Sequence, residues 1–335
     1  MKIKNKLPRG LNPFALGLVL LFLPMAAGAF DFTLDNSREI SDPSYLPLGG
    51  QLFGGTEYTN GNPGSNTNNS TGAPMAANSS QSNLFNQVFE FGFTDDFTFH
   101  VGDSFEWVTS TNTPTGGAST NFNFYGFEDP TFRATWRFMD QSESNFNWDL
   151  IGSYSPNLFT SQSASSTQNG TVARGGNSEL LGTAFSQKMK SFTYYLEATM
   201  TYLDNRTSLD PTGTYISTFN SSWQYELSLL TQTRFTDQWS LNLNLSHTFF
   251  DNVNASIANM ANPPSSTTNQ QGDVTEFTSA LNWQAIPDRC VLSFIYSHDF
   301  DNDSAYINNT HPANSTTTTN RVDDIFSGEL RYVFN

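Results

Sequence analysis

Trp223-Gln224-Tyr225-Glu226-Leu227-Ser228-Leu229 and Trp239-Ser240-Leu241-Asn242-Leu243-Asn244-Leu245-Ser246 are two runs in which apolar and polar residues alternate. The link Thr236-Asp237-Gln238 joins the segments that carry them. A period of two is that of a strand with one apolar and one polar face. The same alternation runs through Phe146–Tyr154 and Phe192–Tyr202. Twelve such stretches are expected, near 51–59, 83–94, 97–108, 122–138, 145–156, 179–188, 191–203, 222–235, 239–250, 274–285, 290–300 and 323–334.

Alternation is equally the pattern of a soluble sandwich, so the connections decide the class. Short links (Thr94–Asp96, Met139–Ser144, Met189–Lys190, Thr236–Gln238, Ile286–Arg289) alternate with long ones rich in Asn, Ser, Thr and Gly. The long links lie near 60–82, 109–121, 157–178, 204–221, 251–273 and 301–322. An even strand number with short turns at one end and long loops at the other is the pattern of a transmembrane barrel. The expected fold is therefore all-β: a closed antiparallel transmembrane β-barrel of about 12 strands, with short periplasmic turns and long extracellular loops. A sheet spanning lipid must close, because edge groups would otherwise stay unpaired there. Trp107, Trp136, Phe138, Trp223, Trp239 and Trp283 fall near strand ends, where interfacial girdles form.

Composition agrees. Charged residues are 14% of the 335, aromatics are 14% with 30 Phe, and mean hydropathy is −0.42. Beyond the N-terminus no apolar run is long enough for a spanning helix. A net charge of −16 without a basic cluster in the body of the chain argues against nucleic acid as a partner. Apolar residues facing lipid and polar residues facing a watery lumen reconcile low hydropathy with many aromatics.

Lys2, Lys4, Lys6 and Arg9, an apolar run from Phe14 to Leu23 and Ala27-Gly28-Ala29 form the three parts of a secretory leader cut after Ala29. Its h-region is too short to span a bilayer. Residues 1–29 are thus expected to be removed, 30–50 to form a periplasmic N-terminal segment and 51–335 the barrel. The chain from Phe30 carries 11 basic residues against 31 acids, a charge of −20. Cys290 is the single cysteine, so closure of the sheet must supply the stability that disulfides give other exported proteins.

Two stretches carry a family resemblance: Ile40-Ser41-Asp42-Pro43-Ser44-Tyr45-Leu46-Pro47-Leu48-Gly49-Gly50-Gln51 and Gly126-Phe127-Glu128-Asp129-Pro130. Both resemble the phenol meta-pathway/transporter family of bacterial outer-membrane proteins. The resemblance implies a barrel that passes small, including aromatic, compounds. Phe326, Gly328, Leu330, Tyr332 and Phe334 alternate in the last strand, which resembles the terminal strand read by the outer-membrane assembly machinery, with Asn335 following the usual final Phe.

Parity places Glu57, Glu90, His100, Glu106, Arg133, Arg137, Asp149, Glu197, Glu226, Arg234, Glu276, Asp299, Glu329 and Arg331 on the lumen side. Nine acids against four Arg leave the lumen near −5 with His100 neutral. Two arrangements are open: Arg–carboxylate pairs that plug the barrel, or a narrow pore favouring cationic or neutral solutes. Phe53, Ile151, Tyr195 and Ile295 share the lumen parity, either packing the interior or offering apolar solutes a surface. Arg137, Lys188, Lys190, Arg234, Arg289 and Arg331 gather toward the short-turn end.

Enzymatic barrels set a third possibility. His247 and His298 are followed two residues on by Phe249 and Phe300, and His100 by Gly102, so no local Ser/His pair arises. Asp299-Phe300-Asp301-Asn302-Asp303 has the oxygen spacing of a calcium loop, but Ser304 and Thr310 occupy the required Gly and Glu positions. No catalytic residue, metal or cofactor is expected. The expected surroundings are outer-membrane lipid, lipopolysaccharide and a small-molecule solute. Passage of small molecules is the leading function, with adhesion or host contact through the external loops as the alternative.

Overall fold

The computed structural model describes residue 31 and residues 33–210, 215–259 and 262–334. The expected leader lies outside the described residues. Twelve strands form the wall: β1 Leu52–Gly61, β2 Pro74–Thr94, β3 Phe97–Pro114, β4 Thr131–Met139, β5 Asn147–Ser155 and β6 Ser178–Lys188. The second half follows as β7 Phe192–Leu203, β8 Ser222–Arg234, β9 Trp239–Phe250, β10 Val274–Ile286, β11 Cys290–Asp301 and β12 Thr316–Phe334. Each pairs antiparallel with the next. The last strand then pairs with the first, from Leu52↔Phe334 to Gly61↔Ile325, and closes the barrel.

One parity of the strands carries large apolar side chains on the outside, among them Phe294, Leu181 and Phe326 at 65, 60 and 57% exposure. A belt of this size would drive a soluble protein to aggregate; around a barrel it is the lipid face. Aromatic contacts band both ends. Trp239 and Trp283 stack at 6.0 Å, and Phe138 bridges Trp136 and Trp148 near the short turns. Tyr58 meets Trp107, and Tyr202 meets Trp223, near the long-loop end.

Two expectations need correction. The stretch 122–138 is two strands, Thr120–Phe127 and β4, which pair with successive parts of β3. The break falls at Glu128-Asp129-Pro130, after Gly126, whose φ of +142° leaves the strand region. Pro130 has no N–H to give the ladder, while Asp129 accepts instead from the N–H groups of Leu158 and Phe159 at 2.7 and 2.9 Å. The long links, read from composition as loops, also contain strands. Strands β2, β3 and β12 are 21, 18 and 19 residues long, well past the roughly 9–11 that cross a bilayer. Their outer parts pair with one another and with Gly64–Asn69, Thr120–Phe127 and Ser304–Asn308. Arg206–Leu209, Tyr215–Phe219, Val253–Asn259 and Asn262–Gln270 continue this outer sheet. Asn and Thr side chains bond across it, as in Asn78 to Thr67 at 2.8 Å and Thr111 to Asn121 at 2.9 Å.

Candidate functional site

The N-terminal segment, which precedes the first strand, packs inside the short-turn end of the barrel. Asp42 organises its turn: the Ser44 N–H and hydroxyl both donate to Asp42 Oδ1, at 2.8 and 2.7 Å. The turn presents Ile40, 1% exposed, to the inward side chains Phe53, Val291 and Val333. Burying that one side chain stabilises the arrangement by about 1.5–3 kcal/mol. Tyr45 packs against the same cluster, its ring 6.0 Å from that of Phe53.

Polar contacts seat the rest. Gln232 donates to the Ser41 carbonyl, Gln284 to the Ser41 hydroxyl at 2.8 Å, and Arg331 to the Ile40 carbonyl at 3.1 Å. Gln141 donates to the Asp35 carbonyl at 3.0 Å. Gly92 makes the passage of Pro47 and Leu48 possible, because a Cβ there would collide with both of their carbonyl oxygens.

Charge completes the seat. The Lys188 ammonium lies 3.4–3.7 Å from Asp35, Glu39 and Asp42, and Arg234 lies 2.8 Å from Glu39 and 3.5 Å from Asp35. Arg38 reaches Asp140 at 3.5 Å, across a turn whose short helix Gln141–Ser144 is capped by the Asp140 side chain. Burial pulls the Asp35 carboxyl up, but hydrogen bonds from Ser37, with Lys188 and Arg234, outweigh it and hold Asp35 below its ordinary value. Asp140 is also lowered: burial opposes the shift, and the Ser142 hydrogen bonds, Arg137 and Arg38 outweigh it.

Three expected lumen residues are therefore covered rather than open to a pore. Arg137 and Asp149, 6 and 2% exposed, form a bidentate pair at 2.9 and 3.1 Å, and Arg137 also donates to the Ser44 carbonyl. Arg234 is engaged by the N-terminal acids. Paired charges gather at the short-turn end. Outside the expected lumen set the participants are Gln232 and Gln284, which the sequence reading left out, Lys188, which it placed only among the cations of the short-turn end, and the segment itself. Lys188, Gln232 and Gln284 share the inward parity, and polar side chains there are the trace such a seat leaves in a sequence.

Glu226 faces inward and is exposed. Arg133 is 3.7 Å from Glu197, and Glu276 accepts from Thr278 at 2.6 Å. Glu106 accepts from the Ser82 hydroxyl. Asp299 borders an outer cavity of about 430 Å³ with Pro63, Ser80 and Ser110. A deeper cavity of about 270 Å³ lies directly on the segment. Its lining combines apolar Ile40, Tyr45, Phe53 and Val88 with polar and charged Glu57, Glu90, His100, Glu329 and Arg331. Glu90 meets His100 at 3.1 Å, and Glu329 meets Arg331 at 3.3 Å. Among the other apolar lumen residues, Ile151 is 3% exposed and Tyr195 donates to Glu197 at 2.9 Å.

No protein-family model matches the chain, and no curated protein matches it in sequence. Solved structures match its fold. The COG4313 outer membrane channel from Pseudomonas putida F1 is 14% identical, with a TM-score of 0.54 over 88% of this chain and 99% of that one. The transport unit of the autotransporter AIDA-I from Escherichia coli is 8% identical, with a TM-score of 0.54 over 85% and 90%. The Pseudomonas putida toluene transporter TodX is 11% identical, with a TM-score of 0.45 over 90% and 95%. The fold is that of a Gram-negative outer-membrane β-barrel, in agreement with the resemblance read from the sequence.

Proposed function

We propose that the barrel is a channel for passive passage of small molecules across the outer membrane, with the N-terminal segment as its inner constriction. The observation that carries this reading is the contrast between the two ends of the lumen. Arg137, Asp149, Lys188 and Gln232 are buried under the segment, whereas Glu226 is exposed, and a 270 Å³ cavity lies on the segment beside β1, β2 and β12. That volume is at the lower edge of small-molecule sites, so the solutes are small. With no energy source in the outer membrane, passage follows the solute gradient.

The family resemblance to carriers of aromatic compounds is not needed for this reading: Ile40, Tyr45, Phe53 and Val88 in the cavity lining by themselves favour solutes with an apolar part. The name of the Pseudomonas putida F1 match as an outer membrane channel supports the same direction.

Purified barrel in planar bilayers should give discrete conductance steps, and a variant lacking residues 31–46 should give larger ones. A folded barrel that passes no ions or small solutes in either form would refute the reading. The ordered outer sheet favours a second role, contact with other surfaces through the external strands, which removal of 252–272 should abolish while leaving conductance intact.

A further inference from the structure

The deeper cavity also indicates what kind of solute fits it, an inference that rests on the channel reading for its physiological meaning but not for its test. Its basic side chains are already engaged. Arg331 is held by Glu329 at 3.3 Å and donates to the Ile40 carbonyl at 3.1 Å, and His100 faces Glu90 at 3.1 Å. Glu57 accepts from the Thr59 hydroxyl at 3.3 Å, and among the described residues no cation stands within ion-pair distance of it. Glu57 is moreover the direct cross-strand partner of Glu329. Like charges placed opposite each other in a sheet repel, so the cavity wall gains from a positive charge between them.

The cations of the inner end do not cancel this field. Lys188, Arg234 and Arg38 face Asp35, Glu39, Asp42 and Asp140, and Arg137 faces Asp149. Of the positive cluster that the sequence places at the short-turn end, Lys188 and Arg234 pair with acids of the segment, and Arg137 and Arg331 with Asp149 and Glu329. A metal ion is a poor match, since among the described residues no three His, Cys, Asp or Glu side chains converge as ligands. Apolar and aromatic side chains line the same cavity, with the Tyr45 and Phe53 rings 6.0 Å apart.

We propose that this cavity binds a small organic monocation: an ammonium group at Glu57 and Glu329, carried on a compact apolar body that packs against Tyr45, Phe53 and Val88. An ammonium beside aromatic faces gains cation–π attraction in addition to its pairing with carboxylate.

The test is calorimetric titration of the full barrel, folded in detergent micelles, with three ligands of one shape: benzylammonium, benzyl alcohol and benzoate. Benzylammonium should bind about tenfold more tightly than either of the others, a difference of about 1.4 kcal/mol. Glu57→Gln should remove most of that preference while leaving benzyl alcohol unchanged, and Phe53→Ala should weaken all binding. Folding of each variant is checked by its heat-dependent gel mobility. If Glu57→Gln does not fold, the three-ligand comparison on the unaltered protein decides. Equal binding of ammonium and alcohol, or a preference for benzoate, overturns the proposal. Because the readout is binding, a barrel that binds benzylammonium but does not conduct would refute the channel reading and leave this site standing.

Discussion

Arg331, in the last strand, donates to the carbonyl oxygen of Ile40 at 3.1 Å, so the two ends of the chain meet inside the barrel. The contact places the N-terminal segment against the seam where β12 closes on β1. Seam and inner constriction are therefore one structure.

Lys188 is the most demanding member of that structure. Its side chain is 4% exposed and lies within 3.7 Å of three carboxylates. Removing one partner of a buried ion pair costs about 3–5 kcal/mol, because the remaining charge stays buried. Lys188→Met should therefore loosen residues 31–46 and raise single-channel conductance while the barrel stays folded. Unchanged conductance together with unchanged protease resistance of the segment would contradict this.

Arg137 and Asp149 should behave as a pair. Arg137→Ala leaves a buried carboxylate, and Asp149→Ala leaves a buried guanidinium, so each should destabilise by about 3–5 kcal/mol. The double replacement Arg137→Met with Asp149→Leu should cost less than either single change. Denaturant unfolding of the refolded barrels measures this, and additive losses would argue against the coupling.

Acid should release the segment, but only strong acid. Asp35 and Asp140 are held below their ordinary values, so both stay ionised in the folded barrel at mildly acid pH. A lowered carboxyl contributes stability that is complete above its unfolded value, about 4, and is lost as pH falls through the folded value. Conductance should stay level from about pH 7 to 5 and rise reversibly below about 4. A rise between pH 7 and 5 would show that groups other than Asp35 and Asp140 hold the segment.

Gly92→Ala tests the seat by shape alone. The added methyl would meet the Pro47 and Leu48 carbonyl oxygens, and neither is the end of a flexible side chain. The strand should still form, since alanine is tolerated there, while the segment should lose its place. Conductance should rise as it does for Lys188→Met. An open-channel current equal to that of the unaltered protein would show that the 47–48 passage can shift.

Glu226 and Glu276 test the outer lumen. Replacing both with Gln should lower cation preference, read as a shift of reversal potential toward zero in a salt gradient. Identical reversal potentials would mean that permeating ions do not sense these carboxylates.

The membrane architecture was legible in residues 222–250 and their counterparts. A period of two separates a lipid face from a lumen face, and the alternation of short and long links sets the strand order. The girdle aromatics and the inward parity of Glu57, Glu226 and Glu276 follow from the same count. Parity is a local property, carried by each residue and its neighbours, so the sequence alone determines it. What fills the lumen is not local. Ile40 meets Val291 and Val333, Lys188 meets Asp35, and Gln232 meets Ser41, all across more than 100 residues. Nothing in the spacing of these residues distinguishes an inward cation that lines a pore from one that holds a plug. Only the closed barrel, which brings twelve strands around the N-terminal segment, decides that the inward residues of the short-turn end are packed against that segment.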